Sequence, residues 1–190
     1  MDGPGSRWNQ LYACASAQEG LFSTRQAAEA GYSPQLLAKY LGNGRVVRVR
    51  RGVYRLVHFP AGEQEYLVTV WLWSDRAGVF SHETALALHE LSDVLPARVH
   101  LSLPEAWRHR RLRVPAGVIV HHADLGEKDR AWIGPVPVTS PRRTLADCAA
   151  SNVSPETLEQ ATRDALRRGI VSRADLAGIK RALGRNDGAS

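Results

Sequence analysis

The chain has 190 residues, 44% of them hydrophobic and 23% charged, with a formal net charge of +6. These values are those of a folding chain and far from those of a disordered one, and the length suits two small domains better than one large one. No apolar run reaches the about 18 residues that a membrane span needs, since the densest, Tyr66 to Trp73, contains Thr69. Met1 to Gln10 lacks the apolar core of a secretory signal, and Cys14 and Cys148 have neither CxxC nor disulfide-framework spacing. The expectation is a protein of a reducing cytoplasm, without a membrane partner, whose two cysteines pack as small hydrophobes.

Charge is unevenly spread. Residues 1–60 hold eight Lys/Arg against three Asp/Glu, a net +5; residues 61–135 are net −2 and the last 55 are net +3. A basic first third beside a near-neutral middle points to a polyanion for the first part alone. An arginine-rich coding background would produce a similar excess, so charge needs support from pattern.

The pattern begins with a helix that Ser6 is placed to cap and Gly20 to end, with Trp8, Leu11, Tyr12 and Ala15 at i, i+3, i+4, i+7. Ser23-Thr24-Arg25-Gln26 reads as a capping box for a second, short helix, with Phe22 and Ala27 as its hydrophobic staple. Gly31 breaks that helix. Ser33-Pro34 starts a third, serine at the cap and proline at the first helical position. Two short helices around a tight glycine turn form a helix-turn-helix. On the third helix Leu36, Leu37, Tyr40 and Leu41 fall on a core side, and Gln35, Ala38, Lys39 and Gly42 on an outer one. The outer set suits base recognition: Gln and Lys reach base edges or phosphate, and small residues permit close approach.

Arg45 to Leu56 then reads as two β-branched runs around a turn in which Gly52 supplies positive φ, with arginines at 45, 48, 50, 51 and 55. A hairpin after a recognition helix is a wing, whose arginines would meet phosphates or the minor groove. The competing reading is an ordinary edge hairpin that uses charge against edge-to-edge pairing.

Pro60-Ala61-Gly62 marks a boundary between domains at 1–60 and 61–190. Beyond it the sequence predicts a buried helix over Glu63 to Ser74, a strand at Val79-Phe80 and a helix from His82 to Leu91 capped by Ser81. Strands follow at Arg98 to Leu103, Val118 to His122, Ala131 to Ile133 and Pro135 to Val138. Ser140-Pro141, Ser154-Pro155 and the Ser172/Asp175 box start three closing helices. The fold class is mixed α/β (α+β): a winged helix-turn-helix, then a small mixed sheet with packed helices and a helical C-terminus.

No catalytic constellation emerges. His82-Glu83 and His89 lack HExxH spacing, and residues seven apart on a helix lie about 10 Å apart along its axis, too far to share one ion. His121 and His122 point to opposite faces of a predicted strand, so only one could join Asp124. GxSxG, Walker and Rossmann patterns are absent. Arg108 to Arg113, four arginines with His109, reads as a solvated charge run, with a nucleic acid or an acidic partner surface as the alternative. The expectation is a protein that is not an enzyme, with no cofactor and no metal site.

With these residues in view, the chain resembles the AbiEi-like antitoxins of bacterial toxin–antitoxin systems over almost its whole length. The resemblance rests on the helix-turn-helix, on Val49-Arg50-Arg51-Gly52-Val53-Tyr54, on the Ser-His-Glu-Thr-Ala-Leu-Ala-Leu-His-Glu-Leu run at 81–91, and on Thr139-Ser140-Pro141-Arg142-Arg143-Thr144-Leu145-Ala146-Asp147. It implies a winged domain that binds inverted repeats in its operon's promoter and represses it, and a C-terminal domain that antagonises a nucleotidyltransferase-like toxin. The partners expected are therefore operator DNA and that toxin. The same N-terminal module precedes nucleases related to very-short-patch repair endonucleases, so a stand-alone regulator or a remnant of such a fusion is the alternative. The expected DNA contacts are Arg25, Ser33, Gln35 and Lys39 from the helices and Arg45, Arg48, Arg50 and Arg51 from the wing.

Overall fold

The computed structural model describes residues 4–93, 95–151 and 153–177, and the chain divides into two compact units. The first extends through Ala77 and includes Gly134–Val136; the second takes Gly78–Ile133 and resumes at Pro137. Residues 61–77, which the sequence assigns to the second domain, thus lie in the first compact unit.

In the first unit α1 (Pro4–Ser16) begins two residues ahead of Ser6, the expected cap. Leu11 and Ala15 are fully buried and Trp8 packs against the same core, but Tyr12 is 48% exposed. Its ring stands at the rim, 6.3 Å from Trp8 and 6.5 Å from Phe59, so the buried stripe is narrower than the spacing suggests. A short strand not read from the sequence, β1 (Leu21–Ser23), leads into α2 (Thr24–Glu29). The capping box forms as predicted: Gln26 N donates to Ser23 Oγ at 3.1 Å and Ser23 N to Gln26 Oε1 at 2.9 Å. Phe22 and Ala27, the staple pair, are both fully buried.

After a turn with Gly31 at φ +81, Ser33 Oγ caps α3 (Pro34–Gly42) by accepting from Leu36 N at 3.2 Å. β2 (Val46–Arg50) and β3 (Val53–Leu56) form the hairpin, and β1 completes an antiparallel sheet of order β1-β3-β2. Phe22, Leu37, Val46, Tyr54 and Leu56 join Leu11 in one core. Burying each large side chain of this kind contributes about 1.5–3 kcal/mol, which holds three short helices and a small sheet together. The final element, α4 (Glu65–Trp73), buries Val68, Val70, Trp71 and Leu72 and leaves Tyr66 half-exposed.

The second unit is built on a five-stranded sheet of order β6-β5-β4-β8-β7. β4 (Val79–Phe80) pairs antiparallel with β5 (Val99–Leu103) and parallel with β8 (Val136–Thr139), and β5 pairs parallel with β6 (Val118–His122). β7 (Arg130–Ile133) closes the other edge. Mixed pairing and strand positions agree with the sequence reading.

The helix α5 (His82–Leu88) is shorter than expected, because Glu90 turns to φ +55 and sends Leu91 back into the core. α6 (Pro141–Ala149) and α7 (Pro155–Arg167) pack with it through Leu86, Leu91, Leu145, Cys148, Ala161 and Ala165. Residues 173–177 are helical behind the Ser172/Asp175 box, in which each residue's backbone N–H meets the other's side chain. Anything later in the third closing helix lies outside the described residues. The Thr139 to Asp147 segment has structural work. Thr144 Oγ1 bonds the Thr139 and Ser140 carbonyls, and Arg143 holds Asp147 at 2.7 Å.

Candidate nucleic-acid interface

α3 presents two chemically different faces. Leu37 is buried and Leu36, Tyr40 and Leu41 are half-buried against the core, whereas Gln35, Ala38, Lys39 and Gly42 are all exposed. Tyr40 is fixed by ring contacts on two sides, 5.7 Å from Trp8 and 5.2 Å from Tyr32, so it is a packing residue rather than a base-stacking one. Gln35 and Lys39 stand four residues apart, about 6 Å along the axis, on a helix flanked by small residues. That arrangement offers a bidentate amide and a mobile cation to one surface.

The hairpin supplies fixed positive charge beside this helix. Arg45, Arg48 and Arg51 are exposed and Arg50 is half-buried. Arg45 lies over the Tyr40 ring at 5.4 Å, a cation–π contact that ties the start of the wing to α3. The ladder shifts register between Arg48 and Arg50, and Gly52 turns the chain at φ +81. The turn is short and anchored: Gly52 O accepts from Thr24 N, at the start of α2, at 2.9 Å. The wing tip is therefore braced on the helix-turn-helix. Arg55 differs from the other hairpin arginines, since it pairs with Glu65 at 3.5 Å and donates to Phe59 O.

Two expected contact residues already have partners. Arg25 pairs with Glu29 at 3.1 Å and Asp75 at 2.9 Å, and these carboxylates raise its pKa. The Ser33 hydroxyl is occupied as the α3 cap. Gln35, Lys39, Arg45, Arg48 and Arg51 present exposed polar groups on α3 and the hairpin. In the second unit the arginine run is partly paired as well: Arg108 donates to Glu105 Oε2 at 2.8 Å, and Arg110 lies over Trp107 at 4.2 Å.

No helix among the described residues is long and apolar enough to cross a membrane. Residues 9–57 match the model of a family described as transcriptional regulator, AbiEi antitoxin. No curated protein matches the chain. A solved structure, the RV2827C protein of Mycobacterium tuberculosis, is 17% identical, with 84% of this chain and 72% of that one covered and a TM-score of 0.45. The matched residues 9–57 run from within α1 to just past β3, and over that segment the match to this family agrees with the resemblance read from the sequence.

Proposed function

We propose that this protein is a DNA-binding antitoxin that represses its own operon and antagonises a nucleotidyltransferase-like toxin. The observation that carries the reading is the pairing of an exposed Gln35/Ala38/Lys39/Gly42 face on α3 with a braced, arginine-bearing hairpin, inside the segment that matches the regulator family. In this reading α3 enters the major groove of an inverted-repeat operator, where Gln35 reads a base edge and Lys39 reaches guanine or phosphate. Arg45, Arg48, Arg50 and Arg51 lie along the backbone and set register without reading sequence. Ser33 stands at the α3 N-terminus, where backbone N–H groups favour a phosphate. Arg25 exchanges its surface ion pairs, which are worth little in water, for a phosphate.

The division of labour follows charge: residues 1–60 carry the DNA contacts, and residues 61–190 carry toxin antagonism, with α4 completing the compact unit that holds the first part. The working protein needs no catalytic residue in this account. A promoter-reporter assay with the DNA upstream of its own gene tests regulation. Repression by the full chain, lost in Gln35→Ala with the protein still folded, supports the proposal. A reporter indifferent to the full chain contradicts it. Co-expression with the product of the neighbouring reading frame tests antagonism, since protection must require residues 61–190.

A further inference from the structure

We propose that His82, His100 and His121 form a three-imidazole site for a borderline divalent transition-metal ion, zinc being the best match, within the second unit. The inference is independent of the DNA-binding reading, and it departs from the expectation of a chain without a metal site. That expectation weighed His82 against His89 and His121 against Asp124. The fold instead brings His82, at the start of α5, to His121 on β6 and to His100 on β5, which the sequence did not single out. The pairing explains the meeting. Ser102 lies opposite His121 in the β5–β6 register, His100 shares the Ser102 face two residues away, and Ser81 N bonds His100 O beside them.

One ring nitrogen from each histidine lies within 4.8 Å of the others. His100 Nδ1 and His121 Nε2 are 3.0 Å apart. Two nitrogens at about 2.1 Å from a shared ion stand about 3.0–3.4 Å apart, depending on geometry, so this separation fits neighbouring ligands once His121, the donor in the present hydrogen bond, carries its ring proton on Nδ1 instead of Nε2. The remaining nitrogens are held from outside. Glu83 Oε2 lies 3.1 Å from His100 Nε2, and Ser81 Oγ lies 2.9 Å from His82 Nδ1 while accepting from Ser102 Oγ at 2.8 Å. The Glu83 carboxylate keeps a proton on His100 Nε2 and leaves Nδ1 as a lone pair, whereas the Ser81 hydroxyl holds the His82 ring at Nδ1 and serves either tautomer. This is the outer-shell pattern that orients metal-binding imidazoles.

One further feature supports the site. His82 has φ +52, a left-handed backbone that a histidine keeps only where its surroundings hold it, and one that clusters at functional positions. Without an ion the His82 and His121 rings stack at 3.7 Å with 16° between their planes. Near-parallel rings cannot aim at one point, so binding turns His82 about its Cβ–Cγ bond.

A set of imidazoles without a carboxylate or thiolate ligand disfavours magnesium and calcium and suits zinc, cobalt, nickel or copper. His82 and His121 line a pocket of about 370 Å³ together with Arg143 and Asp147. Asp147 Oδ2 is buried there with no hydrogen-bond partner in the protein. The pocket has room for water beside His82 and His121, with Asp147 Oδ2 as an acceptor in its lining.

The test is metal titration of the full chain after chelator treatment, with Co²⁺ read by its visible d–d absorption and Zn²⁺ by calorimetry and competition. One equivalent of each is expected. His100→Ala and His121→Ala should each weaken binding at least 100-fold, and Glu83→Gln about 10- to 100-fold. His58→Ala and His109→Ala should change nothing. The proposal is overturned by the absence of saturable one-to-one uptake, or by uptake that survives His100→Ala. If both ligand variants misfold, Glu83→Gln decides, and unchanged affinity overturns the site.

Discussion

Replacing Gln26 by alanine should destabilise the first unit by about 3–5 kcal/mol. The side chain does more than close a capping box. Its Oε1 is the acceptor for the buried Ser23 N–H at 2.9 Å, and its Nε2 donates to Gln18 Oε1 at 2.8 Å. Gln18 in turn donates to Leu21 O at 3.0 Å, so two buried amides join α2 to the residues that lead into β1. Alanine removes two good hydrogen bonds, each worth about 1 kcal/mol net, and strands the Ser23 N–H at a further cost of about 1–3 kcal/mol. Ser23→Ala removes only the cap and should cost about 1 kcal/mol. Urea unfolding followed by tryptophan fluorescence, with hydrogen exchange at the Ser23 amide, measures both. Equal costs for the two variants, with Ser23 still protected in Gln26→Ala, would refute the buried-network argument.

Other outcomes follow from the same contacts. Gly20 sits at φ +79, and a Cβ there would lie 2.6 Å from the Phe59 side chain. Gly20→Ala therefore combines backbone strain of about 1 kcal/mol with overpacking of about 1–3 kcal/mol, which a fall in urea midpoint would register. Burial raises both thiols, Cys148 up to about 12, so a thiol reagent at neutral pH should label the native chain slowly and the denatured chain at both cysteines. Leu11→Ala, at a fully buried position, should cost about 2–5 kcal/mol in the same unfolding assay.

Local punctuation was the most legible part of this chain. Ser23 with Gln26, Ser33 with Pro34 and Ser172 with Asp175 each encode their contacts within four residues, and each forms. The outer face of α3 was legible for the same reason, because helical spacing alone decides which residues turn away from Leu37. Features set by distant partners were not. β1 is three residues long and exists because β3 comes back to pair with it, so no periodicity announces it. Tyr12 fits the α1 stripe by spacing but stands at its rim because of where Phe59 returns. α4 packs in the first compact unit although a proline–glycine stretch precedes it. The histidine cluster was hidden by the same limit. Its members lie on three segments, and only the register of β5 against β6 and the antiparallel β4–β5 pair bring them together.

The most direct test of the central claim is titration of the full chain against its upstream DNA and a scrambled duplex at several salt concentrations. Gln35→Ala should weaken operator binding by about 1–3 kcal/mol while leaving scrambled DNA nearly unchanged. Arg50→Ala and Arg51→Ala should weaken both duplexes alike, and each should lower the slope of log K against log salt by about 0.9. The account is contradicted if Gln35→Ala weakens both duplexes equally while the arginine variants lose operator binding alone, or if the unaltered chain does not prefer its upstream DNA to the scrambled duplex.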